Sequence, residues 1–318
     1  MRSLLAFGAL LASVVSAARF PLTSVALAKE DDSFTIGVLR RDATVVPFAT
    51  YDGKRRESHW PQPNQDVDVP INLRSVPGRW WGQGAPLDTW QVWAGAAPPQ
   101  IVHVRQPDWL QTHCQKQVGL RTDYQPNQWP PGAEAQPYPK DGLAVSPPHV
   151  VEPIETLPPD SAERAVLADI LRAAFAAREE DALSRAQADG SPVRASKKEL
   201  EGLPITIEAL YAFGTKPRVY WVEAVREYKK EDACAAIVFG AGWFILDSGR
   251  FIFGEFDVSV VPCSREGLQY MFPLGVISLP RGKYWIAQWS GWDNEEYDVV
   301  EIGARSIAPV LTVSGGGC

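Results

Sequence analysis

Glu255 and Asp257 stand two residues apart in a run of β-prone residues, and they are the chain's most suggestive carboxylate pair. On a strand that spacing puts both acids on one face, about 6.6 Å apart. The lower limit used by inverting glycosidases is about 6.5 Å, so the pair fits acid/base work on a sugar. The same pattern also describes a half-solvated sheet face with a polar residue at every second position, and that is the commoner occurrence. Twelve tryptophans supply a second kind of chemistry. Trp80, Trp81, Trp90 and Trp93 cluster, and Trp285, Trp289 and Trp292 stand beside the acidic turn Asp293-Asn294-Glu295-Glu296. Trp285 and Trp289 share a strand face. Indoles on a surface stack on sugar rings or grip proline-rich peptide, and in a core they simply pack. Trp80, Trp81, Trp285, Trp289 and Trp292 are the candidate binding residues.

The metal and nucleophile signatures are thinner. The acidic turn lacks the spaced Asp/Asn set and the glycine of a calcium loop. His59, His103, His113 and His149 are never three or four apart, so no helical metal site is readable. There is no nucleophile elbow, phosphate loop or dinucleotide fingerprint. No metal and no cofactor is expected. The four cysteines, Cys114, Cys234, Cys263 and Cys318, match no zinc spacing. One pair follows from register. A two-residue loop at Ser248-Gly249 pairs Asp247 with Arg250 and, carried back without a bulge, Cys234 with Cys263. That non-hydrogen-bonded position brings Cα atoms to about 4.5 Å, within disulfide reach. A bulge at Gly240, Gly242 or Gly254 would break the argument. Cys114 and Cys318 remain as the second pair, the latter at the end of a flexible triglycine tail.

The elements that would position these residues are mainly β. Residues 30–130 read as an N-terminal β region of short strands. Asp52-Gly53 is a two-residue hairpin signal, and Pro47 demotes its strand to an edge or a bulge. Nine prolines between 130 and 159 make residues 131–160 a linker or surface strap. Residues 161–190 carry one amphipathic helix. Asp160 and Glu163 form a capping box, Val166, Leu167, Ile170, Leu171, Ala174 and Phe175 give an apolar stripe, Asp181 and Arg185 pair, and the polar second half projects. From 203 to 313, eight strands with short turns predict an antiparallel meander. The expected fold is mainly β, with sandwich-like or barrel-like meander sheets. The hairpin register puts Ile245, Ala241, Phe256, Phe239, Val258 and Ile237 on one core face. The opposite face carries Glu255 and Asp257, over Gly242 and Gly240.

Residues 1–17 have the order of a secretory signal peptide: Arg2, an apolar run from Leu4 to Val15, then Val15-Ser16-Ala17 at a cleavage site. The reading is therefore an exported protein of the periplasm or the medium, with no membrane span. A formal charge of −7 with mixed signs argues against nucleic acid and anionic membrane as partners. Three functions remain in view. The first is a non-catalytic protein that binds polysaccharide or another exported protein through Trp-rich β surface. The second is a carbohydrate-active hydrolase using acidic residues, and the third an envelope scaffold or assembly subunit. No motif amounts to an identified active site.

Overall fold

The computed structural model describes residues 33–52, 56–57, 60, 87–94, 97–126, 140–188, 197–200, 202–230 and 233–318. Seventeen strands and two helices lie among them. The first seven strands are β1 (Phe34–Arg40), β2 (Thr44–Tyr51), β3 (Arg56–Glu57), β4 (Thr89–Ala94), β5 (Gln100–Thr112), β6 (Gln115–Thr122) and β7 (Lys140–Ser146). They pair in the order β1-β7-β4-β5-β6-β2-β3, and β1 also pairs with β2, so six of them close into a barrel. Trp90, Val92, Val102, Val118 and Leu120 fill the interior. Pro47 sits where the rule for a donor-less residue requires. A bulge lets Gly37 face Pro47 while Ile36 faces Ala49. On the other edge of β2, β6 takes Thr44 and Val45 and β3 takes Thr50 and Tyr51, leaving Pro47 between them. The β2–β3 register pairs Tyr51 with Arg56, so four residues separate the strands rather than the two expected at Asp52-Gly53.

The proline-rich stretch is less of a linker than its composition implies. Its proline-free residues 140–146 form β7, paired on both edges inside the barrel. The chain then lays down two tiny strands, β8 (Val151–Glu152) and β9 (Glu155–Thr156). Helix α1 (Ala162–Ala188) and the short α2 (Lys197–Leu200) follow. The cap of α1 is Ser161, whose hydroxyl accepts from the Arg164 amide at 3.3 Å, one position later than the expected Asp160. Glu163 is thereby freed from a capping box and meets the Arg218 guanidinium at 2.8 Å. The second half of the helix does not project. Ala182, Leu183 and Glu179 are buried, and Glu179 pairs with Arg226 at 2.9 Å. Removing either partner of that enclosed ion pair would strand a charge.

The remaining strands are β10 (Thr206–Phe213), β11 (Arg218–Lys230), β12 (Ala233–Asp247), β13 (Arg250–Val261), β14 (Tyr270–Leu279), β15 (Gly282–Ser290), β16 (Asn294–Ile302) and β17 (Ile307–Gly317). They are an antiparallel meander cut in two. One sheet runs β13-β12-β11-β10-β9, the other β17-β16-β15-β14-β8. Four layers result. Helix α1 packs on the outer face of the first sheet through Leu167, Leu171 and Phe175 against Phe244 and Phe256. The two sheets meet through Trp221, Trp243, Trp285 and Val300. The outer face of the second sheet rests on the barrel through Ile286, Tyr297 and Val299 against Phe34, Ile36 and Val145. Because β1 is covered by barrel core on one side and sheet on the other, all seven of its residues are buried. Val151, Ile154 and Leu157, on one short strap, each enter a different one of these three cores.

Both disulfides form, Cys234–Cys263 and Cys114–Cys318. The first does so despite a bulge. Phe244 faces Phe253, but Gly242 faces Phe256, so Gly254 and Glu255 together oppose Trp243. The Cys234–Cys263 Cα separation is 6.1 Å instead of the shorter value expected from an unbroken ladder. The triglycine is not a loose tail. Gly315 and Gly316 are buried in β17, the Gly315 carbonyl accepts from the Thr112 hydroxyl at 2.7 Å, and Cys318 closes onto Cys114. Gly316 has φ +116, and a Cβ there would fall 2.6 Å from the Thr112 methyl, so only glycine fits.

Candidate functional site

The bulge in β13 decides which side chains meet. By adding one residue, it moves every later side chain of that strand to the other face. Phe256, Val258 and Val260 go under α1 with Val238 and Phe244, correcting the expectation that they share a face with Ala241 and Phe239. Glu255, Asp257 and Ser259 go to the face that looks toward the second sheet. The bulge has a local cause. A Cβ on Gly242 would lie 2.2 Å from the Glu255 carbonyl and 2.5 Å from the Phe256 Cα, so the strands approach this closely only at glycine.

That face borders a cleft. The strap carrying β8 and β9 joins the two sheets along one flank of the sandwich. Along the opposite flank, where β13 and β17 are the outermost strands, the sheets part and leave a space of ≈ 590 Å³. Its floor is indole. Trp221 meets Trp243 and Trp289 at ring-centroid distances of 4.9 Å each, and Trp243 meets Trp285 at 5.1 Å, all edge to face. Trp221, Trp243 and Trp289 line the cleft, and Trp292 stands at its mouth, 68% exposed. Trp285 closes the ladder from behind at 0% exposure. It shares a face with Trp289, as expected, but that face is the inter-sheet core, so Trp285 has no surface to offer a ligand. Trp80 and Trp81 lie outside the described residues.

The walls are acidic. Glu255 and Asp257 come from the first sheet, Asp298 from β16 of the second and Asp293 from the turn that leads into β16. Asp298 is fixed: Oδ2 accepts from the Trp289 indole at 2.7 Å and Oδ1 from the Thr312 hydroxyl at 2.6 Å. Asp257 lies 3.4 Å from Arg185, which reaches round from α1 and also donates to the Val258 carbonyl at 2.8 Å. Gln269 and Asn294 add amides. No lysine, arginine or histidine lines the cleft among the described residues. Nor, among them, do three or more His, Cys, Asp or Glu side chains gather as a metal site.

Glu255 and Asp257 therefore share a cleft with tryptophan, but both are exposed, Asp257 by 77%. A glycosidase's general acid is enclosed. Beside the buried Asp298, a second enclosed carboxyl is Glu223, 3% exposed, whose Oε1 accepts from the Trp221 indole at 3.0 Å and from the Met271 amide of the other sheet at 2.6 Å. Burial pushes its pKa up to about 7 despite those two donors. Burial and the charge of Glu223 push Tyr211 to about 12. Glu223 does not line the cleft; it ties the sheets together beneath it. Trp221, Trp243, Asp298 and Glu223 escaped the sequence reading. The signal available was Trp221-x-Glu223 at strand period, opposite Trp243 in the next strand. No family model, curated protein or solved structure matches the chain.

Proposed function

We propose that this is an exported, non-catalytic binding protein that takes a sugar polymer into the cleft between its two sheets. The observation that carries the reading is the cleft itself: an indole floor with Trp292 at the mouth and carboxylates on both walls. Indole faces supply apolar stacking area for sugar rings, and carboxylates and amides accept and donate to hydroxyls. The two disulfides agree with an oxidising compartment. Among the described residues no helix is long and apolar enough to cross a membrane.

A depletion assay tests it. The protein is mixed with insoluble polysaccharides while tryptophan emission is followed and new reducing ends are counted. Depletion with an emission shift and no new ends is the expected result. Failure to deplete on any polysaccharide overturns it. Release of new ends would favour the hydrolase reading, for which the placement of Glu255 and Asp257 in a cleft with tryptophan speaks. Turnover surviving in a Glu255→Gln, Asp257→Asn double variant would then remove those two residues from the chemistry.

A further inference from the structure

Resting on that reading of the cleft, we propose that its occupant is a polycationic sugar chain, one whose rings carry free amines. Two observations meet here. The cavity has an aromatic floor and an exposed indole, which suits ring stacking irrespective of charge. Independently, the charged side chains that line it are of one sign. The Glu255 and Asp293 carboxylates make no ion pair or hydrogen bond with another described side chain, and they stand on opposite walls. Asp298 adds charge while its oxygens are committed to Trp289 and Thr312. With no described cation among the lining residues and Arg185 turned to Asp257 and the Val258 carbonyl, an anionic glycan entering this space would meet mainly repulsion and a neutral one no ionic attraction. A protonated amine gains both carboxylate contact and a place over an indole face. The net charge of −7 steers the same class of ligand from a distance.

A basic peptide shares the charge but not the fit. An extended peptide gains most of its affinity by adding a strand to an open sheet edge. At β13 a strand added beside Asp257 would have to compete with Arg185 from α1, which donates to the Val258 carbonyl at 2.8 Å. A sugar chain needs no ladder.

The experiment is calorimetric titration of the full chain with four probes: a glucosamine hexamer, its fully N-acetylated counterpart, a cello-hexaose and hexalysine, at a pH where the sugar amines are protonated. The glucosamine hexamer should bind at least about tenfold more tightly than the acetylated one. That preference should collapse at about 0.5 M salt, where charges are screened beyond a few ångströms. A Glu255→Gln, Asp293→Asn double variant with an unchanged circular dichroism spectrum should bind both hexamers about equally. Equal affinity of the amine and acetylated hexamers for the native chain overturns the inference while leaving the sugar-binding function standing. Hexalysine binding as tightly as the glucosamine hexamer overturns it in favour of a peptide. If no sugar probe binds, the proposed function falls with it.

Discussion

Glu223 is a carboxyl placed where water cannot reach it, and its consequence is a slope in stability against pH. Its pKa rises from the usual 4.5 to about 7 on folding, because burial disfavours the charged form. Protons therefore favour the folded state between those values. The stabilisation is complete below about pH 4.5 and is lost as pH rises through 7, by about 3 kcal/mol in all. Glu155 and Glu163 work in the opposite sense. The Arg218 guanidinium, bonded to both, holds their carboxyls below the usual range, so their contribution is lost only on acidification. Urea titrations from pH 5 to 8 should show native stability falling with pH, and a Glu223→Gln variant, which keeps an acceptor at Oε1, should lose that slope. A variant retaining the native slope would refute the assignment. The tryptophans separate in the same way by position. Trp285→Ala should cost about 3–5 kcal/mol by leaving a cavity in the inter-sheet core. Trp292→Ala should change stability by no more than about 0.5 kcal/mol yet weaken sugar binding roughly three- to tenfold. Thermal melts and titrations on both variants distinguish the roles. At this scale the sequence was readable only in part. Cys234 and Cys263 could be paired because hairpin register brings them within one residue of facing each other, a slip that the disulfide spans at a Cα separation of 6.1 Å. Glu223 looked like any acid on a strand, since nothing local reports that a second sheet covers it.

At the scale of the element, the cleft depends on one extra residue in β13. Gly242 permits it, because the Glu255 carbonyl occupies the space a Cβ would need. Gly242→Ala should therefore destabilise the protein by about 1–3 kcal/mol. It should also lower affinity for sugar, because the face of β13 that carries Glu255 and Asp257 would be displaced. Differential scanning calorimetry with a parallel binding titration measures both, and an unperturbed melting temperature would contradict the close approach. The strands themselves were legible within a few residues, because alternation and turn residues are local signals. The faces beyond residue 254 were not. Three glycines were candidates for a bulge, and choosing among them needs the partner strand's backbone, which no local pattern records. Helix α1 was equally legible in its extent and misread in its second half. The run Arg178-Glu179-Glu180-Asp181 looks solvated until Arg226 supplies a buried partner for Glu179.

The whole molecule is a stack of helix, sheet, sheet and barrel, and its two disulfides act at different ranges. Cys234–Cys263 spans 29 positions within one hairpin, whereas Cys114–Cys318 spans 204 and joins the barrel to the last strand of the second sheet. Loop-closure entropy assigns about 4 kcal/mol to the first and about 5 kcal/mol to the second. Cys318→Ser should accordingly lower stability more than Cys263→Ser, with hydrogen exchange rising first along β17 and the β5–β6 hairpin. The reverse order would mean that the barrel and sheet hold together without the long bridge. The division of one meander into two facing sheets was not legible, because the longer link at residues 262–269 says only that the chain pauses there, and not whether the next strand pairs with the last or starts a second sheet.

The strap acts as a staple. From Val151 to Leu157 it crosses from the barrel-side core, through the core between the sheets, to the core beneath the helix. Val151 belongs to the second sheet and Leu157 directly follows β9 of the first, so the backbone between them crosses a single interlayer spacing of about 10 Å while its side chains reach three cores. The segment pairs with both sheets and sends a side chain into each core it passes, so it fastens the two sheets to each other along that flank. Two residues inserted beside Pro153 would slacken this tie, and the layers would drift while every strand kept its own pairing.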